Sequence, residues 1–278
     1  MPNLSTGSAI RLPIGYFSLG PRFIAGTPFD GKVSEVYQDA WTSVQTLTAR
    51  ARSRGIGVLL DLHALPGGAN GDAHSGSSSG RAELWNSKSK LQRATECAMF
   101  VAEQASAMDG VIGLQLVNEA AWAADGMYQW YDSTIQAIAG INPDLPLYIS
   151  DAWNLNPAIA YAKRKNTLWT GMRNPIVVDT HKYWCFADKD KSRAPQQIID
   201  SVQAELGELE GHSGNVFNGG AAEVIVGEYS CVLDGQTWDK SGGADRGGLV
   251  QQFGQAQSRK WQSRASGSFF WTLKMVCN

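Results

Sequence analysis

The sequence has few cysteines, no surplus of basic residues and no long apolar run. Its four cysteines in 278 residues form no CxxC pair and no cluster with histidine, so a structural zinc site is not expected. Lys and Arg number 24 against 26 Asp and Glu, a net charge of −2, which argues against nucleic acid or an anionic membrane as a partner. No stretch approaches the roughly 18 consecutive apolar residues of a membrane-spanning helix.

The first eight residues, MPNLSTGS, contain neither a basic segment nor the apolar segment of a secretory signal. We therefore expect a cytoplasmic protein, with secretion as the alternative. The cysteines leave the redox compartment open, since widely spaced residues fit free thiols and disulfides equally. They are Cys97, Cys185, Cys231 and Cys277.

Hydrophobic residues make up 43% of the chain and charged residues 18%, which is enough apolar surface for a large core. The 30 glycines indicate many tight loops, and most of the 10 tryptophans are expected in the core. The length fits one domain over residues 1–278, which we expect to be a monomer.

Apolar runs alternate with helical patterns, which is the βαβ rhythm of a parallel sheet. Seven strands are predicted at Ala9–Phe17, Gly57–His63, Val111–Val117, Leu147–Asp151, Ile176–His181, Glu223–Glu228 and Gly267–Trp271. Helices are predicted at Val33–Arg54, Lys88–Ala107, Gly126–Ile138, Pro157–Lys165, Ala194–Leu209 and Gly248–Gln262. The length and rhythm favour an α/β fold of the (β/α)8 TIM-barrel class, incomplete because seven strands are identified. No dinucleotide fingerprint follows a strand, which weakens the open-sheet alternative.

Polar residues cluster where successive strands end, and in a barrel these ends meet at one mouth. They are His63, Asn118, Glu119, Asp151, His181, Tyr183, Glu228 and Trp271. A single strand-end histidine or glutamate is usually a supporting or solvated residue, but so many at equivalent positions favour a functional site.

Glu119 and Glu228 follow different strands, and two carboxylates facing one site are what glycoside hydrolysis requires. Different surroundings are expected to separate their pKa values. Arg11 is placed to hold Glu228 ionised, Tyr183 to donate to the same carboxylate, and Asn118 to donate to a sugar hydroxyl.

At these residues the sequence resembles glycoside hydrolase family 5 of clan A, and most of all its fungal exo-β-1,3-glucanase group. The matching segments run from Arg11 to the end: RLPIGY at 11–16, DLHALPGGANG at 61–71, NE at 118–119, HKYWCF at 181–186, GEYS at 227–230 and FWTLK at 270–274. Each segment is weak alone, whereas the ordered set is specific.

The resemblance implies a retaining enzyme that cleaves β-glucosidic bonds in β-glucans, β-1,3-glucan above all, or in β-glucosides. It implies that Glu119 is the acid/base and Glu228 the nucleophile, with no metal and no organic cofactor. The residues it implies around the substrate are Arg11, His63, Asn118, His181, Tyr183, Phe186 at the entrance and Trp271 under the sugar.

The sequence also departs from the family pattern. Asp72 stands where the family has an entrance phenylalanine, which weakens a two-aromatic clamp and with it the preference for β-1,3 linkages. Ala120 replaces the proline of Asn-Glu-Pro. The family's first strand and helix, and its closing helix, have no counterpart here, so we expect an incomplete barrel.

Two alternatives follow. The first is a truncated, inactive barrel that at most binds carbohydrate. The second is a metal-dependent hydrolase built on Asp61, His63, Asp179 and His181, which lacks any further histidine ligand. His74 lies in the Gly- and Ser-rich loop 64–86 and is expected to be solvated. The loop itself is expected to be mobile, with a well-packed loop as the alternative.

Overall fold

A computed structural model describes residues 9–167, 173–210, 216–217 and 220–273. Lys274 and Cys277, singled out in the sequence, lie outside these ranges. The strands are β1 (Ala9–Gly15), β2 (Gly57–Ala64), β3 (Val111–Gln115), β4 (Leu147–Ser150), β5 (Ile176–Lys182), β6 (Val216–Phe217), β7 (Gly220–Ala221), β8 (Glu223–Tyr229) and β9 (Gly267–Phe270).

Seven strands form one parallel sheet in the order β1-β2-β3-β4-β5-β8-β9, and β6 pairs with β7 in a small antiparallel sheet. The sheet curls into a nearly closed barrel, because side chains from strands far apart in this order meet inside it. Leu59 of β2, Val177 of β5 and Ile225 of β8 form one apolar cluster, against which Tyr148 and Phe269 pack. The predicted barrel class is confirmed.

The α-helices are α1 (Pro21–Ile24), α2 (Ala40–Arg52), α3 (Lys88–Ala105), α4 (Met127–Ala139), α5 (Leu155–Lys165), α6 (Asp188–Lys191), α7 (Pro195–Ser201), α8 (Gly235–Trp238) and α9 (Arg246–Arg264). The larger core lies between the longer helices and the outer face of the sheet, where Val58, Leu60 and Leu62 of β2 point. Alternation along β2 therefore places Leu59, Asp61 and His63 in the interior. None of the described helices has the length and apolar character needed to cross a lipid bilayer.

Two predicted helices are wrong in extent. The segment Val33–Arg54 divides into a 3-10 helix at Gly31–Tyr37 and α2, because the first part buries no side chain and Val33 is exposed. The segment Ala194–Leu209 ends as a helix with α7 and continues as two 3-10 turns. Leu206, with a φ of +56°, interrupts the helical path between them.

The strands differ in how completely they are covered. In β5 six of seven residues are buried, whereas β9 has no fully buried residue and β1 only two. Within the described residues β1 and β9 are the edges of the sheet. Their partial exposure follows from having a paired neighbour on one side only.

Candidate active site

The mouth of the barrel brings together side chains from five strands. Arg11 comes from β1, His63 from β2, His181 from β5 and Glu228 from β8, while Glu119 follows β3. The carboxyl ends of parallel barrel strands converge on one face, which is why residues more than 200 positions apart meet here.

The two glutamates face each other. One carboxylate oxygen of Glu119, one of Glu228 and one ring nitrogen of His181 all lie within 4.8 Å of one another. Carboxyl groups about 5 Å apart are the arrangement found in retaining glycosidases, whereas inverting enzymes need a wider gap that holds a water.

Glu228 faces the interior because β8 bulges next to it. Thr180 pairs with Val226, but the next residue, His181, pairs with Glu228, so Gly227 is the extra residue. Without the bulge, strict alternation from inward-facing Ile225 would turn Glu228 away from the site. Gly227 is required here because a β-carbon would overlap the Asp179 carboxylate.

Arg11 and Tyr183 hold the Glu228 carboxylate from two sides. Arg11 Nη1 donates to Oε1 over 2.6 Å, and the Tyr183 hydroxyl donates to Oε2 over 2.9 Å. Burial, and then the negative charge of Glu228, raise the pKa of Tyr183, so the phenol keeps the proton that it donates. These are the contacts that the sequence predicts for Arg11 and Tyr183.

Arg11 is itself fixed in a buried network beneath Glu228. Its Nη2 lies 3.1 Å from Asp61 and 3.7 Å from Asp179, and it donates to Asn118 Oδ1 over 2.7 Å. Its Nε donates to Gln115 over 3.1 Å. One guanidinium therefore compensates several carboxylates that would be costly to bury alone.

The partners of the Glu119 carboxylate are imidazoles, whereas those of Glu228 are a guanidinium and a phenol. Oε1 lies 2.8 Å from His181 Nδ1, and Oε2 lies 3.0 Å from His74 Nε2. The other nitrogen of His181 lies 3.2 Å from Asp179. Since both ring nitrogens of His181 face carboxylates, both donate, as in an imidazolium.

The charges at Glu119 follow from these contacts. Burial works to lower the pKa of His181, but the Asp179 charge and the hydrogen bonds to Asp179 and Glu119 raise it to about 10. Burial likewise works to raise the pKa of Glu119, but hydrogen bonds from His181 and His74, and their charges, hold that pKa well below its usual range. Glu119 is therefore ionised in the free protein at neutral pH.

The backbone at Glu119 is held in a left-handed conformation, with φ at +42°. This region is unfavourable for a residue with a β-carbon and costs about 1–3 kcal/mol. Asn70 Nδ2 donates to the Glu119 carbonyl over 2.8 Å, and Ser150 Oγ accepts from the next amide, that of Ala120. These bonds hold the chain in the turn that aims the Glu119 side chain at Glu228.

The remaining predicted residues lie around the carboxylates. The Trp271 ring is parallel to that of His63, with centroids 5.7 Å apart, and Phe186 is exposed at the rim with its edge against Tyr183. His63 Nδ1 donates to Asp61 over 2.7 Å. Asn118 is completely buried, so in the free protein its amide supports Arg11. Its contact with a sugar hydroxyl stays a prediction.

The donor atoms of Glu119, His181 and Glu228 are close enough to hold a metal ion. They are also in direct contact with one another, with Glu119 2.8 Å from His181. The alternative set built on Asp61 and Asp179 encloses the Arg11 guanidinium, so a fixed positive charge stands where that set would need a cation. We assign none of these residues as a metal ligand.

His74 is the site residue that the sequence did not predict. Its side chain is half-exposed, as expected, yet it is bonded to Glu119. The loop that carries it has buried anchors in Ala69, Ser75 and Trp85, so its Gly and Ser content did not indicate its packing. The feature of the sequence that could have pointed to His74 is the Asn-Gly segment before it, in a loop that follows a strand end.

Comparison with known proteins identifies similar fungal sequences, among them two that are more than 30% identical to this chain. One, named as an uncharacterized glycosyl hydrolase of Saccharomyces cerevisiae, is 34% identical over 275 residues, which cover 96% of this chain and 52% of the yeast protein. Another, the glucan 1,3-beta-glucosidase 3 of Schizosaccharomyces pombe, is 31% identical over 97% of this chain and 54% of its own length. The chain thus spans about half the length of these relatives. No family model matches the sequence.

Solved structures share the fold at low sequence identity. The structure of AoRut superposes with a TM-score of 0.70 at 16% identity, covering 99% of this chain and 72% of its own. An endoglucanase, Cel5A of Pseudomonas stutzeri, superposes with a TM-score of 0.60 at 14% identity, covering 95% of this chain and 73% of its own. These similarities establish the barrel fold.

Proposed function

We propose that this chain is a retaining O-glycosyl hydrolase that cleaves β-glucosidic bonds in β-glucans, with β-1,3-glucan favoured, or in β-glucosides. The observation that carries the proposal is the approach of Glu119 and Glu228 to within 4.8 Å at the barrel mouth. The name of the fission-yeast relative, a glucan 1,3-beta-glucosidase, supports the substrate class.

Glu119 is ionised in the free protein, so it takes up a proton from water before it acts as the acid. In the first step it gives this proton to the glycosidic oxygen while a Glu228 oxygen bonds to the anomeric carbon and the bond to the leaving group breaks. Arg11 and Tyr183 support this role of Glu228, because both donate to its carboxylate and fix its position. In the second step, Glu119 accepts a proton from water, whose oxygen displaces Glu228 from the sugar.

Trp271 and His63 supply the surface under the sugar in this proposal. Their rings are stacked, with centroids 5.7 Å apart, and sugar rings stack on such aromatic faces. Phe186, exposed at the rim, is placed to contact a further sugar or the aglycone.

The proposal is tested by trapping the glycosyl-enzyme. The protein is incubated with a 2-deoxy-2-fluoro-β-glucosyl fluoride, digested and mapped by mass spectrometry, with Glu228→Gln as the control. The expected result is one adduct on Glu228 that is absent from the control. An adduct on another residue, or binding of laminari-oligosaccharide without any hydrolysis or trapping, contradicts the proposal and favours an inactive carbohydrate-binding barrel.

A further inference from the structure

His74 is a histidine that a two-carboxylate mechanism does not require. It reaches Glu119 from the loop after β2, with Nε2 3.0 Å from Oε2. On the basis of the proposed function, we infer that His74 is a positioning residue that sets the protonation of Glu119 by donating this hydrogen bond.

The loop geometry places His74 with little freedom. His74 lies in a 3-10 turn, Ala73–Ser75, that ends at Gly76 with a φ of +111°. A β-carbon on Gly76 would overlap the Leu65 backbone, so the turn packs directly on the chain leaving β2. Ser75 is buried, and its hydroxyl donates to the carbonyls of Asn70 and Asp72.

The same loop also holds the backbone around Glu119 through hydrogen bonds. Asn70 Nδ2 donates to the Glu119 carbonyl over 2.8 Å, and the Ala121 amide donates to the Ala69 carbonyl over 2.9 Å. The loop therefore positions both the backbone of Glu119 and the imidazole against its side chain. A solvated surface histidine has no such support.

Besides Glu119, the ionisable groups around this contact are two carboxyl groups, which favour a charged imidazole, and two histidines. They are Asp72 on the same loop, Glu228 on β8, His181 on β5 and His63 on β2. The hydrogen bond to Glu119 raises the pKa of His74 against the opposing effect of burial.

His74 and His181 differ in their access to water. The His181 side chain is 4% exposed and lies between two carboxylates, whereas that of His74 is 43% exposed. His74 can therefore exchange its proton with solvent during turnover. While it is charged it favours ionised Glu119, which suits proton abstraction from water in the second step and opposes proton donation in the first.

The test compares His74→Ala, which removes the donor, with His74→Gln, whose amide keeps a neutral donor at a similar position. The pH profile of kcat/KM is measured on an alkyl β-glucoside, whose leaving group needs a proton, and on 2,4-dinitrophenyl β-glucoside, whose leaving group does not. Losing a nearby positive charge is expected to move the basic limb of the alkyl profile up by about one pH unit or more in His74→Ala. His74→Gln is expected to move it less, and the dinitrophenyl profile is expected to keep its shape.

Ser78→Ala, at an exposed position of the same loop, is the matched control and is expected to leave both profiles unchanged. Superimposable alkyl profiles for wild type and His74→Ala, with both proteins active, overturn the inference and leave the proposed function standing.

A second measurement does not need turnover: titration of the Glu119 carboxyl by carbon-13 NMR, assigned with Glu119→Gln. It is expected to show a higher pKa for Glu119 in His74→Ala, and an unchanged pKa overturns the inference even if the wild type proves inactive.

Discussion

The surroundings of the two glutamates are built from different chemistry. Glu228 is held by a guanidinium and a phenol, neither of which changes charge near neutral pH. Glu119 is held by two imidazoles, a group whose charge ordinarily changes between pH 5 and 8. In the proposed mechanism, the nucleophile thus has donors of fixed charge, while the acid/base has donors that can titrate.

The backbones that carry them differ as well. Glu228 is buried within a strand and turned inward by a bulge, so neighbouring strands fix its position. Glu119 lies beyond its strand in a left-handed turn held by a loop. The first carboxylate is positioned by the barrel itself, and the second by the loops above it.

The largest contrast is expected between Glu228→Gln and Glu119→Gln on substrates with different leaving groups. Glu228→Gln is expected to lower kcat/KM on the order of 10⁴-fold or more for every substrate, because no nucleophile remains. Glu119→Gln is expected to lower it about 10²- to 10⁴-fold on an alkyl glucoside and far less on a dinitrophenyl glucoside. If Glu119→Gln, like Glu228→Gln, lowers kcat/KM equally on the alkyl and the dinitrophenyl glucoside, the division of roles is contradicted.

Arg11→Met is expected to destabilise the protein by about 3–5 kcal/mol, because it leaves the carboxylates of Asp61, Asp179 and Glu228 buried without their cation. The free energy of unfolding is measured by denaturant titration at pH 7. Arg22→Met, at an exposed arginine, is the control and is expected to change it by less than about 1 kcal/mol. A similar small change in Arg11→Met means that the network does not stabilise the fold.

Tyr183→Phe is expected to lower kcat/KM about 10- to 100-fold, because a hydrogen bond to a charged group contributes about 1.5–3 kcal/mol. The loss is expected on good and poor leaving groups alike, since the hydroxyl supports the nucleophile rather than the acid. Tyr37→Phe, whose ring packs against Phe17 and Phe29, is the matched control. A loss confined to poor leaving groups would assign Tyr183 to Glu119 instead.

A further contrast is expected in the pH dependence of stability. His181 has a folded pKa raised from 6.5 to about 10, so its stabilisation is fully present below pH 6.5 and is lost as the pH rises through about 10. The free energy of unfolding, measured from pH 6 to pH 10, is expected to fall more steeply in wild type than in His181→Gln. Parallel curves contradict a charged His181 between Asp179 and Glu119.

The interior strands β2 and β5 show why part of the fold was predictable. Hydrophobic runs such as Val58–Leu60 and Val177–Val178 indicate strands covered on both faces, and the structure buries nearly all of these side chains. The same reasoning placed helix ends less well, because the division of Val33–Arg54 depends on which of its side chains find a partner. Local pattern fixes the type of an element better than its length.

The sequence by itself determined the barrel class and the set of polar residues at the strand ends, because hydrophobic periodicity and the parallel-strand rhythm are local properties of the chain. Only the tertiary structure decided which way those residues face. The bulge at Gly227 turns Glu228 inward against the alternation of its strand, and the left-handed turn aims Glu119 at it. The contact between His74 and Glu119 likewise depends on how a loop 45 residues away packs, which spacing along the chain does not encode.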